Sequence, residues 1–286
     1  MSLLIQLRDR IKGIDTIKKI THAMRLISMS SRSRLKSKEE PLQEYINQLT
    51  RLFYHLKEQA PTWKNSLIIP PANIPPNKLV ILIGSQRGLC GNFNAMLFRF
   101  FENSILHAPT MKGSIQIIPI GKKAVNYIDD NPLFTIVAQY PELNAKNISA
   151  IAHEIIALLT TQEKQFTQVT VVSNILKTFF VQKPKQTTLI PLHVENEVIN
   201  SSFKDEDYYW EHDPLLMLDQ LSYQILEIYL QYLLFESLLA EHAARFISMD
   251  NATRNAKSLL EETQLQYNKL RQAKITKELT ELVSNI

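Results

Sequence analysis

Residues 239–270 read LAEHAARFISMDNATRNAKSLLEETQLQYNKL and lie within a carboxyl-terminal segment of 72 residues, Leu215 to Ile286, that contains neither glycine nor proline. Such a segment predicts a continuous helix, which would be roughly 100 Å long. A small domain cannot cover a helix of that length, so part of it must extend beyond a globular core. Small or apolar residues recur at intervals of three and four and predict a coiled-coil seam: Leu239, Ala243, Phe246, Met249, Ala252, Ala256, Leu259, Thr263, Tyr267 and Leu270.

The amino-terminal residues repeat this periodicity, interrupted only by Gly13. A second helical piece, 42–59, follows Pro41, which a helix accepts in its first turn or at a kink. Each stripe is too narrow for a globular core, so we expect the terminal helices, 1–60 and 214–286, to pack together as an antiparallel coiled coil. The apolar positions of the first stripe are Leu4, Leu7, Ile11, Ile14, Ile17, Ile20, Met24 and Ile27.

The middle of the chain, 61–213, has the pattern of an α/β domain with linkers. It opens with a proline-rich linker, 61–77, and ends in a polar, acidic loop, 193–213. Alternating strands and helices predict a largely parallel sheet covered by helices, with an antiparallel edge near 179–192. The predicted strands are 79–83, 115–120, 169–173, 179–182 and a weaker fifth at 188–192; the predicted helices are 95–106, 122–129 and 147–161.

Composition excludes several classes of protein. With 45% hydrophobic and 21% charged residues, the chain is too apolar for a disordered protein. A single cysteine, Cys90, excludes an internal disulfide or a cysteine-based zinc site and fits a reducing compartment. The chain has no run of 18 uncharged apolar residues, so no membrane-spanning helix is predicted. Its first residues do not resemble a signal peptide.

Positive charge is concentrated at the amino terminus. Residues 1–38 hold ten lysines and arginines against two acidic residues, although the whole chain has a net charge of only +4. This excess is typical of a surface that meets something acidic, although it also fits the solvated face of a coiled coil. Residues 1–40 contain no aromatic side chain, which argues against nucleic acid and favours an acidic protein.

The most enzyme-like motif is the turn from Gly84 to Gly91, GSQRGLCG, between a predicted strand and a helix. Its GxxxGxxG spacing matches neither the dinucleotide nor the P-loop pattern, so a tight turn is the stronger interpretation.

Cys90 is interpreted as a small buried residue. His193, Glu195 and Glu197 could hold a metal weakly, and 205–207 is expected to be a solvated turn. We therefore predict no catalytic, cofactor-binding or metal site.

Several longer motifs resemble the gamma subunit of F-type ATP synthases, collinearly and over nearly the whole chain. They are RIKGIDTIKKITHAMRLIS (10–28), GSQRGLCGNFN (84–94), QKPKQTTLIPL (182–192), DYYWEHDP (207–214), EHAARFISMDNATRNA (241–256) and YNKLRQAKITKELTELV (267–283).

The resemblance implies a non-catalytic rotor shaft: an antiparallel coiled coil with a Rossmann-like domain at its foot. The implied partners are three alpha and three beta subunits around the shaft, with the epsilon subunit and the c ring at the foot. Ion flow through the membrane sector would turn the shaft and drive ATP synthesis on the beta subunits. Membrane association would be indirect, on the cytoplasmic side of a bacterial inner membrane.

The resemblance also implies contact residues. Met24, Arg245, Arg271, Gln272 and Thr276 match shaft positions that meet the alpha and beta subunits. Tyr208, Tyr209 and Glu211 fall in the segment that faces the c ring and epsilon. Two positions depart from the family pattern: Gln86 stands where aspartate is usual, and Asp250 where lysine is usual.

Two alternatives remain open from the sequence. The first is a nucleotide-binding α/β enzyme built on the glycine turn. The second is a coiled-coil adaptor with an α/β head.

Overall fold

The computed structural model describes residues 3–65, 68, 77–106, 115–131, 133–161, 166–192 and 213–284. Its backbone divides into two compact units, residues 1–31 with 245–286 (unit 1) and residues 32–244 (unit 2). Two long helices run through both units, α1 (Leu3–Gln59) and α5 (Pro214–Ser284). The predicted terminal helices are therefore confirmed, and Pro41 lies inside α1 instead of separating two pieces.

Unit 1 is an antiparallel pair of helices, and the buried positions of both follow a seven-residue repeat. In α1 the buried residues are Leu7, Ile14, Thr21 and Ser28; in α5 they include Met249, Ala256 and Thr263. A strict seven-residue spacing is the signature of a left-handed coiled coil, because it keeps one seam facing the partner helix.

Unit 2 contains a five-stranded sheet in the order β3-β2-β1-β4-β5. The strands are β1 (Lys78–Ile83), β2 (Ile115–Ile120), β3 (Phe134–Ile136), β4 (Gln168–Thr178) and β5 (Val181–Ile190). The first four are mutually parallel, and only β5 pairs antiparallel, with β4. This confirms the predicted parallel sheet with one antiparallel edge.

Helices cover both faces of this sheet. Alternate residues of β1 point to opposite sides, so Ile81 and Ile83 pack with α4 (Ile148–Thr161) and α5. Val80 and Leu82 pack instead with α2 (Phe93–Phe101) and α3 (Lys122–Asp129). A five-residue π-helical turn, Glu102–Leu106, extends α2. Strands buried on both faces explain the uninterrupted apolar runs in the sequence.

The prediction of two separate strands at 179–182 and 188–192 is wrong. A single strand, β5, spans most of that range, and residues 179–180 form the hairpin turn between β4 and β5. The short β3 was not predicted, because its three residues include only two apolar ones and give too weak a pattern.

Candidate subunit interface and the glycine loop

The seam of unit 1 is held by apolar packing and two polar contacts. Ile14 of α1 packs with Ala256 and Leu260 of α5, and the half-buried Ile11 lies against the same cluster. Higher along α1, the hydroxyl oxygen of Thr21 lies 3.0 Å from that of Thr253. Because higher residue numbers in α1 meet lower numbers in α5, the two helices run in opposite directions.

The second polar contact of the seam is an ion pair between Arg25 and Asp250. Arg25 Nη1 donates a hydrogen bond to Asp250 Oδ1 at 2.7 Å, and Arg254 approaches the other carboxylate oxygen at 2.5 Å. The Arg25 hydrogen bond holds the pKa of Asp250 below its ordinary value, and Arg254 adds to the effect. A lysine at position 250 would meet two guanidinium groups, so the departure from the family pattern fits this chain's own arginines.

The outer surface of unit 1 carries many exposed apolar side chains. Ile17, Ile20, Ile27, Leu259 and Leu270 were predicted to lie in the seam, and this prediction is wrong because all five are exposed. The seam uses Leu260 instead of Leu259. Exposure is most extensive near the end of α5, where the exposed apolar residues are Leu265, Leu270, Ile275, Leu279, Leu282 and Val283.

The predicted shaft contacts occupy different environments. Arg271, Gln272 and Thr276 are exposed on α5, and Thr276 Oγ1 donates a hydrogen bond to the Gln272 carbonyl at 3.0 Å. Met24 is half-buried on α1. Arg245 is only 5% exposed, so little of its side chain is accessible to a partner.

The predictions for the foot lie outside the described residues. They concern Tyr208, Tyr209 and Glu211, and the same holds for the weak metal candidates His193, Glu195 and Glu197 and for the turn at 205–207.

The glycine loop follows β1, the central strand of the sheet, whose parallel neighbours β2 and β4 lie on its two opposite sides. In doubly wound proteins this is the usual position of a ligand. Here a carboxylate of the chain itself fills it: Glu241 of α5, 2% exposed, accepts hydrogen bonds from the backbone N–H groups of Gln86 at 3.0 Å and Arg87 at 3.4 Å. These donors are the kind that would otherwise bind a phosphate.

Side chains within the loop fix its shape. Asn94 Oδ1 accepts the N–H of Ser85 at 3.0 Å, and the Asn94 amide donates to Ser85 Oγ at 2.8 Å. The Gln86 side chain accepts the backbone N–H of Leu143 at 3.2 Å. Cys90 is buried, which confirms its interpretation as a small core residue.

Gly121 packs against this loop at the end of β2. Its φ of +87° is unfavourable for other residues, and a Cβ there would collide with the carbonyl oxygen of Gly84. The close approach of two backbones explains both glycines without a ligand.

Sequence reasoning missed the role of Glu241, although a signal was present. The residue sits among the small or apolar residues Leu238, Leu239, Ala240, Ala243 and Ala244. A charge in such a stretch needs a buried partner, because an unpaired buried carboxylate is costly.

Among the residues that the structure describes, no group of three or more histidine, cysteine, aspartate or glutamate side chains is arranged to hold a metal ion. None of the described helices has a segment long and apolar enough to cross a membrane.

Comparison with known proteins gives consistent matches. The profile of a family described as ATP synthase matches residues 4–286. The ATP synthase gamma chain of Chlorobium limicola is 30% identical over 289 residues, covering 99% of this chain and 98% of its own. That of Dichelobacter nodosus is 28% identical over 291 residues, with the same coverage.

Solved structures share the fold. The rotor of the Euglena gracilis mitochondrial ATP synthase in rotational state 1 superposes with a TM-score of 0.58 at 15% identity, over 95% of this chain and 98% of that chain. The central stalk and c ring of the Tetrahymena thermophila mitochondrial ATP synthase includes a chain with a TM-score of 0.56 at 19% identity, over 82% of this chain and 99% of that one.

Proposed function

Because the chain belongs to the ATP synthase gamma-chain family, we propose that it is the central rotor-stalk subunit of an F-type ATP synthase. In this role it couples ion flow through the membrane sector to ATP synthesis. Its partners are three alpha and three beta subunits around the helix pair, and the epsilon subunit and c ring at the foot. The chain itself catalyses no reaction.

The observation that carries this proposal is the uncovered apolar surface of unit 1. Beyond Thr263, α5 has a series of exposed apolar side chains, among them Leu265, Ile275 and Leu279. Contiguous exposed apolar surface indicates contact with other proteins. The excess of basic residues in the first 38 positions supports an acidic surface on the subunits that surround the helix pair.

The helix pair also has the mechanical properties that a rotor needs. From Arg245 to Ser284, α5 contains neither glycine nor proline, and this part is about 60 Å long. Its sides differ, since apolar, cationic and seam positions follow one another around the helix. A shaft changes the nucleotide affinity of its neighbours only if it contacts their conformations differently, and uneven sides provide that difference.

Association with the membrane is indirect, through the c ring, on the cytoplasmic side of a bacterial inner membrane. The relatives in Chlorobium limicola and Dichelobacter nodosus, both bacteria, support this location. The occupied glycine loop argues against the rival nucleotide-binding enzyme, because Glu241 already accepts two of its backbone N–H groups.

Purification of the native assembly tests the proposal. The tagged chain should copurify with alpha and beta subunits in a ratio of one to three to three. Recovery of the chain without these subunits would favour the adaptor alternative. Equilibrium binding of labelled nucleotide to the isolated chain tests the enzyme alternative, and micromolar affinity at the Gly84–Gly91 loop would support it.

The proposed shaft contacts need a separate test. Arg271 and Lys269 are both exposed cations on α5, but they lie about 160° apart around the helix, on nearly opposite sides. If Arg271 meets the surrounding ring, Arg271→Glu should lower ATP synthesis in membrane vesicles more than Lys269→Glu does. Equal effects would assign the loss to net charge and contradict a specific contact.

A further inference from the structure

The hairpin between β4 and β5 ends in an unusual turn. Two-residue hairpin turns favour asparagine and glycine, yet this one consists of Phe179 and Phe180. Both residues avoid positive φ, and an irregularity in the pairing between Leu176 and Thr178 accommodates the turn. Two bulky aromatic residues therefore stand where small turn residues would fold more easily.

The turn is held by contacts of Phe179 and presents an apolar end. Phe180 is 74% exposed, and its ring packs edge-on against Phe179, with 4.9 Å between the ring centroids. Arg32 of α1 lies over the Phe179 ring at 4.5 Å, and the Gln182 amide donates to the Phe179 carbonyl at 3.0 Å. We refer to Phe179, Phe180 and the exposed Val181 as the aromatic tip.

Exposed lysines line the hairpin that carries the aromatic tip. The hairpin, residues 168–192, contains no acidic residue, and its three lysines, Lys177, Lys183 and Lys185, are all exposed. On α1, the cation that reaches the aromatic tip is Arg32, which lies over the Phe179 ring, whereas Lys36 pairs with Glu39 at 2.8 Å. An apolar centre with a cationic rim matches an acidic surface that offers an apolar contact.

We propose that the aromatic tip is a docking surface for an acidic segment of a neighbouring protein, separate from the exposed shaft of unit 1. The proposal rests on the proposed function in one respect, since the neighbour is taken to be another subunit of the same complex. The lysines bring the acidic segment to the hairpin, and Phe180 makes the apolar contact.

Two other classes of partner fit less well. A single-stranded nucleic acid is bound by several aromatic faces along a basic groove, whereas the aromatic tip offers one exposed ring, Phe180, because Arg32 covers a face of Phe179. A membrane surface is usually bound by a long amphipathic face, whereas the aromatic tip has only three apolar residues.

Photocrosslinking in the assembled complex tests the proposal. A benzophenone amino acid replaces Phe180 and, in a matched control, Leu133, which is 65% exposed next to Asp129 and Asp130 in the same unit. The intact complex is purified, illuminated and digested, and the adducts are identified by mass spectrometry. Position 180 should give an adduct with an acidic peptide of another subunit, and position 133 should not.

A charge-reversal variant provides a second test of the proposal. The double variant Lys183→Glu, Lys185→Glu should lower the yield of the position-180 adduct by about fivefold, because it removes the attraction for the acidic segment. The proposal is overturned by an unchanged yield, by no adduct above the Leu133 control, or by an adduct with lipid, nucleic acid or a peptide without an acidic excess. The subunit composition of the complex, measured first, reports on the proposed function independently of these outcomes.

Discussion

Leu259 and Leu260 are adjacent in α5 but differ in burial, which allows a sharp test of the seam. Leu260 is 8% exposed and packs with Ile14 and Ala256, whereas Leu259 is 40% exposed. Replacing each in turn with aspartate makes the same chemical change at neighbouring positions of one helix. The loss of helix propensity, about 0.5 kcal/mol, is therefore common to both variants and cancels in their comparison.

The expected difference follows from the burial. Removal of the Leu260 side chain from the seam costs about 2 kcal/mol, at the lower end for core leucines because only two helices enclose it. A carboxylate facing Ile14 adds a desolvation penalty, which brings the total to about 3 to 5 kcal/mol. Leu259→Asp leaves the seam intact and should cost less than about 1 kcal/mol.

Amide hydrogen exchange of the purified chain measures the effect on the opposite helix. In Leu260→Asp, peptides from residues 7–28 of α1 should exchange at least about 100-fold faster, as expected for a loss of 3 kcal/mol in local stability. In Leu259→Asp the same peptides should exchange at nearly the original rate. Equal acceleration in both variants, or none in Leu260→Asp, would refute the seam described here.

Three further predictions concern single groups. Glu241→Ala should destabilise unit 2 by about 2 to 4 kcal/mol in urea unfolding, and Glu241→Gln by about half as much because one acceptor oxygen remains; equal losses would contradict the hydrogen-bonding role. Gly121→Ala should lower stability by about 2 to 4 kcal/mol, whereas Gly13→Ala, where an added Cβ meets no neighbour, should raise it by about 0.5 to 1 kcal/mol, as calorimetry can measure. Because the folded-state pKa of Asp250 is lowered, its contribution is present near neutral pH and is lost as the pH falls below about 4, so Asp250→Asn should destabilise unit 1 near neutral pH but not in acid.

The fold was predictable where a sequence pattern is long or strongly apolar. The terminal helices and the parallel strands β1 and β2 extend over enough residues for their periodicity to identify them. The hairpin was harder, because Phe179 and Phe180 have high β-propensity yet form a turn. Their propensity predicted a strand, and pairing between β4 and β5 overrode it.

The details of the interface were less predictable. Ile17, Ile20 and Ile27 have the spacing of a seam, but they lie on the outer surface. Hydrophobic periodicity identifies positions that avoid water and does not distinguish a partner helix from a separate subunit. In a rotor shaft, both the seam between the helices and the outer surface that meets other subunits carry apolar residues. The apolar stripe in the sequence therefore includes positions of both kinds.

The apolar residues of α5 follow no single periodic pattern along the whole helix, because they serve different contacts in the two units. Within unit 2, residues such as Leu226, Leu230 and Leu234 pack into the core of the α/β unit, so the helix is apolar on several sides. Within unit 1, only a narrow seam is buried, and near the end of the helix apolar residues are exposed instead. A stable isolated helix pair would not retain that exposed surface, because it weakens solubility and contributes nothing to the fold. Its presence is therefore best explained by surfaces of other subunits that contact the shaft, and the asymmetry of those exposed positions is what a rotating shaft requires.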